Sequence, residues 1–187
     1  MTFSFKHVGL LIGLISVIVS FTFFGRQQDL YDIFLTGGLL ISLIFFLIIF
    51  FGKGTSKSKL IWTVIVVLFI VLQRLTEPIL IDSSYRIYIR QNENILADIN
   101  NILLHKTGDI TILNDSITHK YDQLTTYESR ELIKGQKKLG TYLISKSDKG
   151  IYYGLWGFLD VRLGIIFLTD NTKSENNYRH LTGNWFY

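Results

Sequence analysis

Three long apolar runs fall within the first 81 residues, and the remaining 106 residues contain none. The first two runs, residues 8–24 and 33–51, carry no charged residue and are long enough to cross a hydrocarbon core of roughly 30 Å. Neither run alternates apolar with polar residues, and a backbone in lipid must satisfy its own hydrogen bonds, so each is predicted to be a helix. The chain is therefore predicted to be an integral membrane protein.

The third run, residues 60–72, would span only about 20 Å as a helix, so we extend the predicted span to residue 81. The extension contains Arg74 and Glu77, which can pair because they lie three positions apart on a helix. They are either a buried polar pair that gates or conducts, or a surface feature in which Arg74 snorkels and Pro78 begins a new helix. We favour the second interpretation.

Residues 1–81 are thus predicted to form a transmembrane three-helix domain, and residues 82–187 a soluble domain. The first run is too long for the apolar part of a signal peptide and lacks a small-residue cleavage pattern, so we expect a retained anchor. The connection at residues 52–59 carries Lys53, Lys57 and Lys59 and no acid. Because lysines collect on the cytoplasmic side, we expect a bacterial inner-membrane protein with a cytoplasmic N-terminus and an extracytoplasmic C-terminal domain.

Small residues recur at helical spacing in the first two predicted spans. They are Gly9, Gly13, Ser16 and Ser20 in the first, and Gly38 and Ser42 in the second. Small residues let helix backbones approach closely in lipid. These six positions are predicted to pack helices together, either within one bundle or against a second copy or a partner subunit in a larger membrane complex.

The soluble part is predicted to be an α+β domain with a mainly antiparallel sheet. A helix is expected over 82–106 and another from a capping box at Thr125 and Glu128 to Leu139. Predicted strands, bounded by turn residues and rich in β-branched and aromatic side chains, cover 110–113, 116–122, 141–146, 151–159, 161–168 and 181–187. A polar loop is expected over 170–177.

Glycines at 154, 157 and 164 interrupt a strand-like run in which aromatic residues are frequent. Glycine within a strand often marks a bulge or a close approach by another group. The aromatic residues form either a recognition groove or the core, and we favour the core, with the face of Trp156 turned inward. The candidate binding residues are Tyr153, Trp156, Asp160, Arg162, Arg130 and Lys134.

The residue content argues against several kinds of chemistry. The chain has no cysteine, which excludes a disulfide framework and a cysteine nucleophile. His105, His119 and His180 lack metal-ligand spacing, and neither a phosphate-binding loop nor a nucleophile elbow is present. Residues 82–187 carry 13 basic and 12 acidic side chains, which is not the balance of a nucleic-acid-binding surface. We expect no enzyme activity, no cofactor, no metal and no nucleic-acid polymer as partner.

Two functions fit this pattern. The first is a non-enzymatic membrane-anchored subunit or sensor, whose extracytoplasmic domain binds a partner protein or a ligand. The alternative is a ligand-gated effector of bacterial defence that permeabilises the membrane and has a cytoplasmic sensing domain, with a nucleotide as one candidate ligand. The lipid bilayer is a partner in both, and a homo-oligomer or larger complex is expected because three helices make a thin bundle.

Overall fold

The structure is a computed structural model that describes residues 4–119, 124–158, 161–169 and 178–187. The chain divides into two compact units, Met1–Ser84 and Tyr85–Tyr187. The helices are α1 (Phe5–Ser20), α2 (Gln28–Phe51), α3 (Ser56–Gln91), α4 (Glu93–Leu104) and α5 (Thr126–Leu139). The strands are β1 (Ile110–Leu113), β2 (Ser116–His119), β3 (Leu143–Ser147), β4 (Gly150–Phe158), β5 (Val161–Leu168), β6 (His180–Thr182) and β7 (Trp185–Phe186).

A 3-10 turn, Phe21–Phe23, continues α1. The three apolar helical segments that come first in the chain, Phe5–Phe23, Gln28–Phe51 and Ser56–Gln91, are each long and apolar enough to cross a membrane. In α1 and α2 the backbones approach closely at small residues. A Cβ atom added to Gly13 would lie 2.5 Å from the Ser42 hydroxyl and 2.9 Å from the Gly38 carbonyl oxygen. Helix α3 contacts the others through larger groups: the Trp62 ring stacks on His7, with ring centroids 4.6 Å apart.

Helix α3 continues through Pro78 to Gln91, so the expectation that Pro78 begins a new helix is wrong. A proline inside a helix removes one backbone hydrogen bond, here the one that residue 78 would donate to the Arg74 carbonyl. The single helix expected over 82–106 is also wrong: Asn92 interrupts it, and its side-chain amide donates to the Tyr88 carbonyl at 2.9 Å.

The second unit contains an antiparallel sheet with the strand order β2-β1-β3-β4-β5-β7-β6. Its core lies between one face of the sheet and the helices α4 and α5. From the sheet, Ile112, Ile144, Ile151, Tyr153 and Ile165 are completely buried. The Tyr88 hydroxyl at the end of α3 donates to the Leu139 carbonyl at 3.1 Å, which ties this part of α3 to the end of α5.

Local signals in the sequence of the second unit agree closely with the structure. The capping box of α5 forms, with the Glu128 amide donating to the Thr125 hydroxyl, and Gly140 ends the helix in a left-handed conformation. The hydrogen bond from Lys106, followed by that from the Thr125 amide, lowers the pKa of Glu128 to about 2. The last predicted strand is instead two short strands around Gly183, and the predicted loop over 170–177 lies outside the described residues.

The prediction about which face of β4 is buried is wrong. A bulge between Gly154 and Trp156 breaks the simple alternation, and Trp156 remains partly exposed. Tyr153, on the face that we expected to point away from the core, is completely buried. Its hydroxyl donates to the Asn100 side-chain oxygen at 2.8 Å. A tyrosine suits this position because its ring fills the core while its hydroxyl group satisfies a buried amide.

Candidate anion-binding groove

An open groove of about 670 Å³ lies in the second unit, between the end of α3 and the β6–β7 hairpin. This volume is within the range of small-molecule sites. Its lining residues are Arg86, Ile89, Arg90, Glu93, Phe167, Thr182, Gly183, Asn184 and Trp185. A smaller cavity of about 290 Å³ shares Ile89, Glu93, Phe167 and Trp185 with it and continues along α4 to Leu104.

Two arginines form the charged side of the groove. Arg86 and Arg90 are four residues apart on α3, so they project from the same face of the helix. Tyr85 and Ile89, which directly precede the two arginines in the chain, are buried and fix this orientation of the helix. Within the described part of the chain, neither guanidinium forms an ion pair, and both arginines are exposed. They are therefore available to a ligand.

Aromatic rings form the floor. The Trp185 ring packs edge-on against Phe167, with centroids 5.0 Å apart, and against Tyr153 at 5.6 Å. Tyr153 is itself held by Asn100, so the floor rests on the buried core. Burial raises the pKa of the Tyr153 hydroxyl well above its usual value, which keeps it protonated as a hydrogen-bond donor.

The hairpin turn closes the opposite side. Gly183 adopts a φ of 52°, a left-handed conformation that favours glycine. The Leu168 amide donates to the Asn184 carbonyl at 2.9 Å, which holds this turn to β5. Glu93 is the one acid among the lining residues, so the groove carries a net charge of +1 from two arginines and one carboxylate. The arrangement suits an anion that also has an apolar or aromatic part.

The residues singled out from the sequence do not converge on one site. Tyr153 is in the core beneath the groove, Trp156 is partly exposed on β4, and Asp160 lies outside the described residues. Arg130 and Lys134 are exposed on α5, where Lys134 pairs with Glu131 at 3.3 Å. Arg162 lies on the other face of the sheet, where it lines a separate cavity of about 330 Å³ with Tyr152.

The glycines of β4 and β5 make room for tyrosine rings on that other face. A Cβ atom on Gly154 would lie 2.8 Å from the Tyr142 ring, and one on Gly164 would lie 2.8 Å from the Tyr152 hydroxyl. Burial, followed by the neighbouring Tyr142, raises the pKa of Tyr152 to about 12, although Arg162 opposes the shift. Gly154 thus makes room for a side chain packed on the sheet, and Gly164 also lies against the Tyr153 carbonyl oxygen of β4, which an added Cβ atom would meet first.

The groove residues Arg86, Arg90 and Trp185 were not among the candidates. A signal was present in the sequence: two arginines four positions apart, with only tyrosine and isoleucine at positions 85, 87, 88 and 89 beside them. The proximity of Trp185 to these arginines could not be predicted, because the position of Trp185 depends on how the last two strands pair in the sheet. Among the described residues, no group of three histidine, aspartate or glutamate side chains could hold a metal ion.

Comparison with known proteins gives no relative: no family model, no curated protein and no solved structure matches this chain.

Proposed function

We propose that this protein is a non-enzymatic, membrane-anchored sensor subunit. Its three apolar helices cross the bilayer, and the domain formed by residues 85–187 binds an anionic ligand in the groove. The observation that carries the proposal is the pair Arg86 and Arg90, exposed and without ion pairs in the described structure, beside the aromatic floor of Trp185 and Phe167.

Exposed apolar side chains on the three helices support membrane insertion. Leu39, Leu43 and Leu68 are each more than half exposed, as are many of their neighbours. In water such a surface would promote aggregation, whereas in a bilayer it is the normal lipid-facing surface. The lysines at 53, 57 and 59 support a cytoplasmic position for the α2–α3 connection, which gives the C-terminal domain an extracytoplasmic location.

Helix α3 offers a route for a signal. It supplies the third apolar segment and, in its last two turns, both arginines of the groove. Ligand binding at Arg86 and Arg90 would therefore act on the same helix that crosses the membrane. A ligand can shift the state of the protein only if it binds two arrangements of that helix with different affinities.

The proposal predicts binding of anions by the full-length protein in nonionic detergent. Thermal-shift titrations with pyrophosphate, adenosine triphosphate and uncharged adenosine would show binding of one or both anions and none of adenosine. Charge-assisted hydrogen bonds are worth about 1.5–3 kcal/mol, so combining Arg86→Gln with Arg90→Gln should weaken binding about tenfold or more. Added salt should also weaken it.

Arg130→Gln is the matched control, because Arg130 is an exposed arginine on α5 that does not line the groove. It should leave the affinity unchanged. Equal losses in the control and in the double variant would point to non-specific attraction, and no binding of either anion would count against a phosphate-bearing ligand.

The nucleotide-gated effector remains the second candidate, since Trp185 beside two arginines also suits a base stacked next to phosphates. It requires the domain on the cytoplasmic side. Binding of adenosine triphosphate much tighter than pyrophosphate, together with a cytoplasmic C-terminus, would favour the effector over the sensor.

A further inference from the structure

Arg74 lies near the middle of the length over which α3 runs beside α1, and Glu77 lies about one turn further along α3. Two contacts define the depth of α3 beside α1: Trp62 stacks on His7 near the start of α1, and the Ser84 hydroxyl donates to the Phe24 carbonyl just past its end, at 2.9 Å. Arg74 is 12 residues after Trp62 and 10 residues before Ser84, about 18 Å and 15 Å along the helix.

That depth argues against the snorkelling interpretation. Arginines reach the headgroups from positions near helix ends, and ionisable groups deeper in a membrane normally face protein or a water-filled cavity. In the single chain, however, the Arg74 side chain is 76% exposed and that of Glu77 is 28% exposed, although the two pair at 3.4 Å. Something other than hydrocarbon must cover this face if the helices cross a bilayer.

We propose that a second copy of this chain covers it. Each copy carries one positive and one negative group on the same face, three residues apart, so the face is complementary to itself. Copies inserted in the same direction meet across a two-fold axis normal to the membrane. Arg74 of each copy then lies about 4.5 Å along the axis from the level of Glu77 in the other, a distance that two long side chains bridge.

The flanking surface fits such a contact. Val67, Ile70 and Val71 are each about half exposed and lie one or two turns before Arg74 on the same side of α3. They would pack against their counterparts while the four charged groups form a closed network. This inference rests on the proposed membrane insertion of α3 and is independent of the ligand groove.

The natural chain has no cysteine, so a single cysteine reports contacts between copies without background. We would introduce Ile70→Cys into the full-length protein, oxidise isolated membranes, and measure the disulfide-linked dimer on non-reducing gels. The expected result is a strong dimer from Ile70→Cys. The control is Leu40→Cys, since Leu40 is exposed on α2; it should give much less dimer.

Charge inversion tests the pairing itself. In the Ile70→Cys background, Arg74→Glu alone or Glu77→Arg alone should lower the dimer yield at least severalfold, because each places four like charges together. Co-expression of those two chains should restore a mixed dimer, distinguishable by different tags. Arg130→Glu, an exposed change on α5 in the second unit, should have no effect.

Three results would each overturn the proposal: a dimer yield unchanged by the charge inversions, cross-linking to a different protein in place of a dimer, or no dimer in the membrane fraction. Recovery of the protein in the alkaline-carbonate supernatant would overturn membrane insertion as well as the pairing of two copies. Protein that stays in the membrane pellet but does not pair would overturn the pairing alone. Ligand binding at Arg86 and Arg90 should be unchanged by failure of the pairing alone.

Discussion

The Gly13→Ile variant should assemble poorly or unfold at a markedly lower temperature than the natural protein. The new side chain would meet the Ser42 amide nitrogen and the Gly38 carbonyl oxygen, and both atoms belong to the backbone of α2. The two helices must therefore separate, which costs about 1–3 kcal/mol or more and removes their close contact. Thermal unfolding in detergent and native gel electrophoresis would measure the loss.

Gly37→Ile is the matched control for this variant. Gly37 is on α2 next to the contact, but a Cβ atom there would meet nothing within 4 Å. It should melt within a few degrees of the natural protein. Equal melting temperatures for the two variants would show that α1 and α2 do not pack through Gly13.

The Tyr153→Ala variant should lose most of the stability of the second unit. It removes a completely buried ring that supports Trp185, and it leaves the Asn100 side chain without its hydroxyl donor. Truncation of a buried aromatic residue costs about 3–5 kcal/mol. Urea titration of the full-length protein, followed by pulse proteolysis of the second unit, would give the change in the free energy of unfolding.

Two further variants separate the parts of this effect. Tyr153→Phe retains the ring and loses the hydroxyl group, so it should cost about 1–3 kcal/mol. Tyr127→Ala removes a ring that is 73% exposed and should change stability little. A loss at Tyr153→Ala no larger than at Tyr127→Ala would mean that Tyr153 is not a core residue.

Features encoded locally were predictable from the sequence. The apolar runs gave the three helices, because a stretch of that length and composition has few alternatives. The capping residues Thr125 and Glu128, together with Gly140, defined both ends of α5. The β3–β4 turn followed from residues 147–150, where glycine and polar residues separate two apolar strands.

Features that depend on distant contacts were not predictable. The bulge after Gly154 places Trp156 opposite Leu163, so Trp156 and Tyr153 lie on the same face of the sheet, although regular alternation would put them on opposite faces. Pro78 normally suggests a helix boundary, yet α3 continues past it. The groove joins α3 to a turn about 95 residues later in the chain, so no local pattern could bring Arg90 and Trp185 together.

The position of the C-terminus is the most direct test of the proposed membrane-anchored sensor. Alkaline phosphatase fused after Tyr187 is active only outside the cytoplasm, and green fluorescent protein fused there is bright only inside. Three spans with a cytoplasmic N-terminus predict an active phosphatase fusion and a dark fluorescent fusion. Replacing Lys53, Lys57 and Lys59 with glutamine should reduce the difference between phosphatase activity and fluorescence. An inactive phosphatase with a bright fluorescent fusion would contradict the extracytoplasmic sensor and favour the cytoplasmic effector.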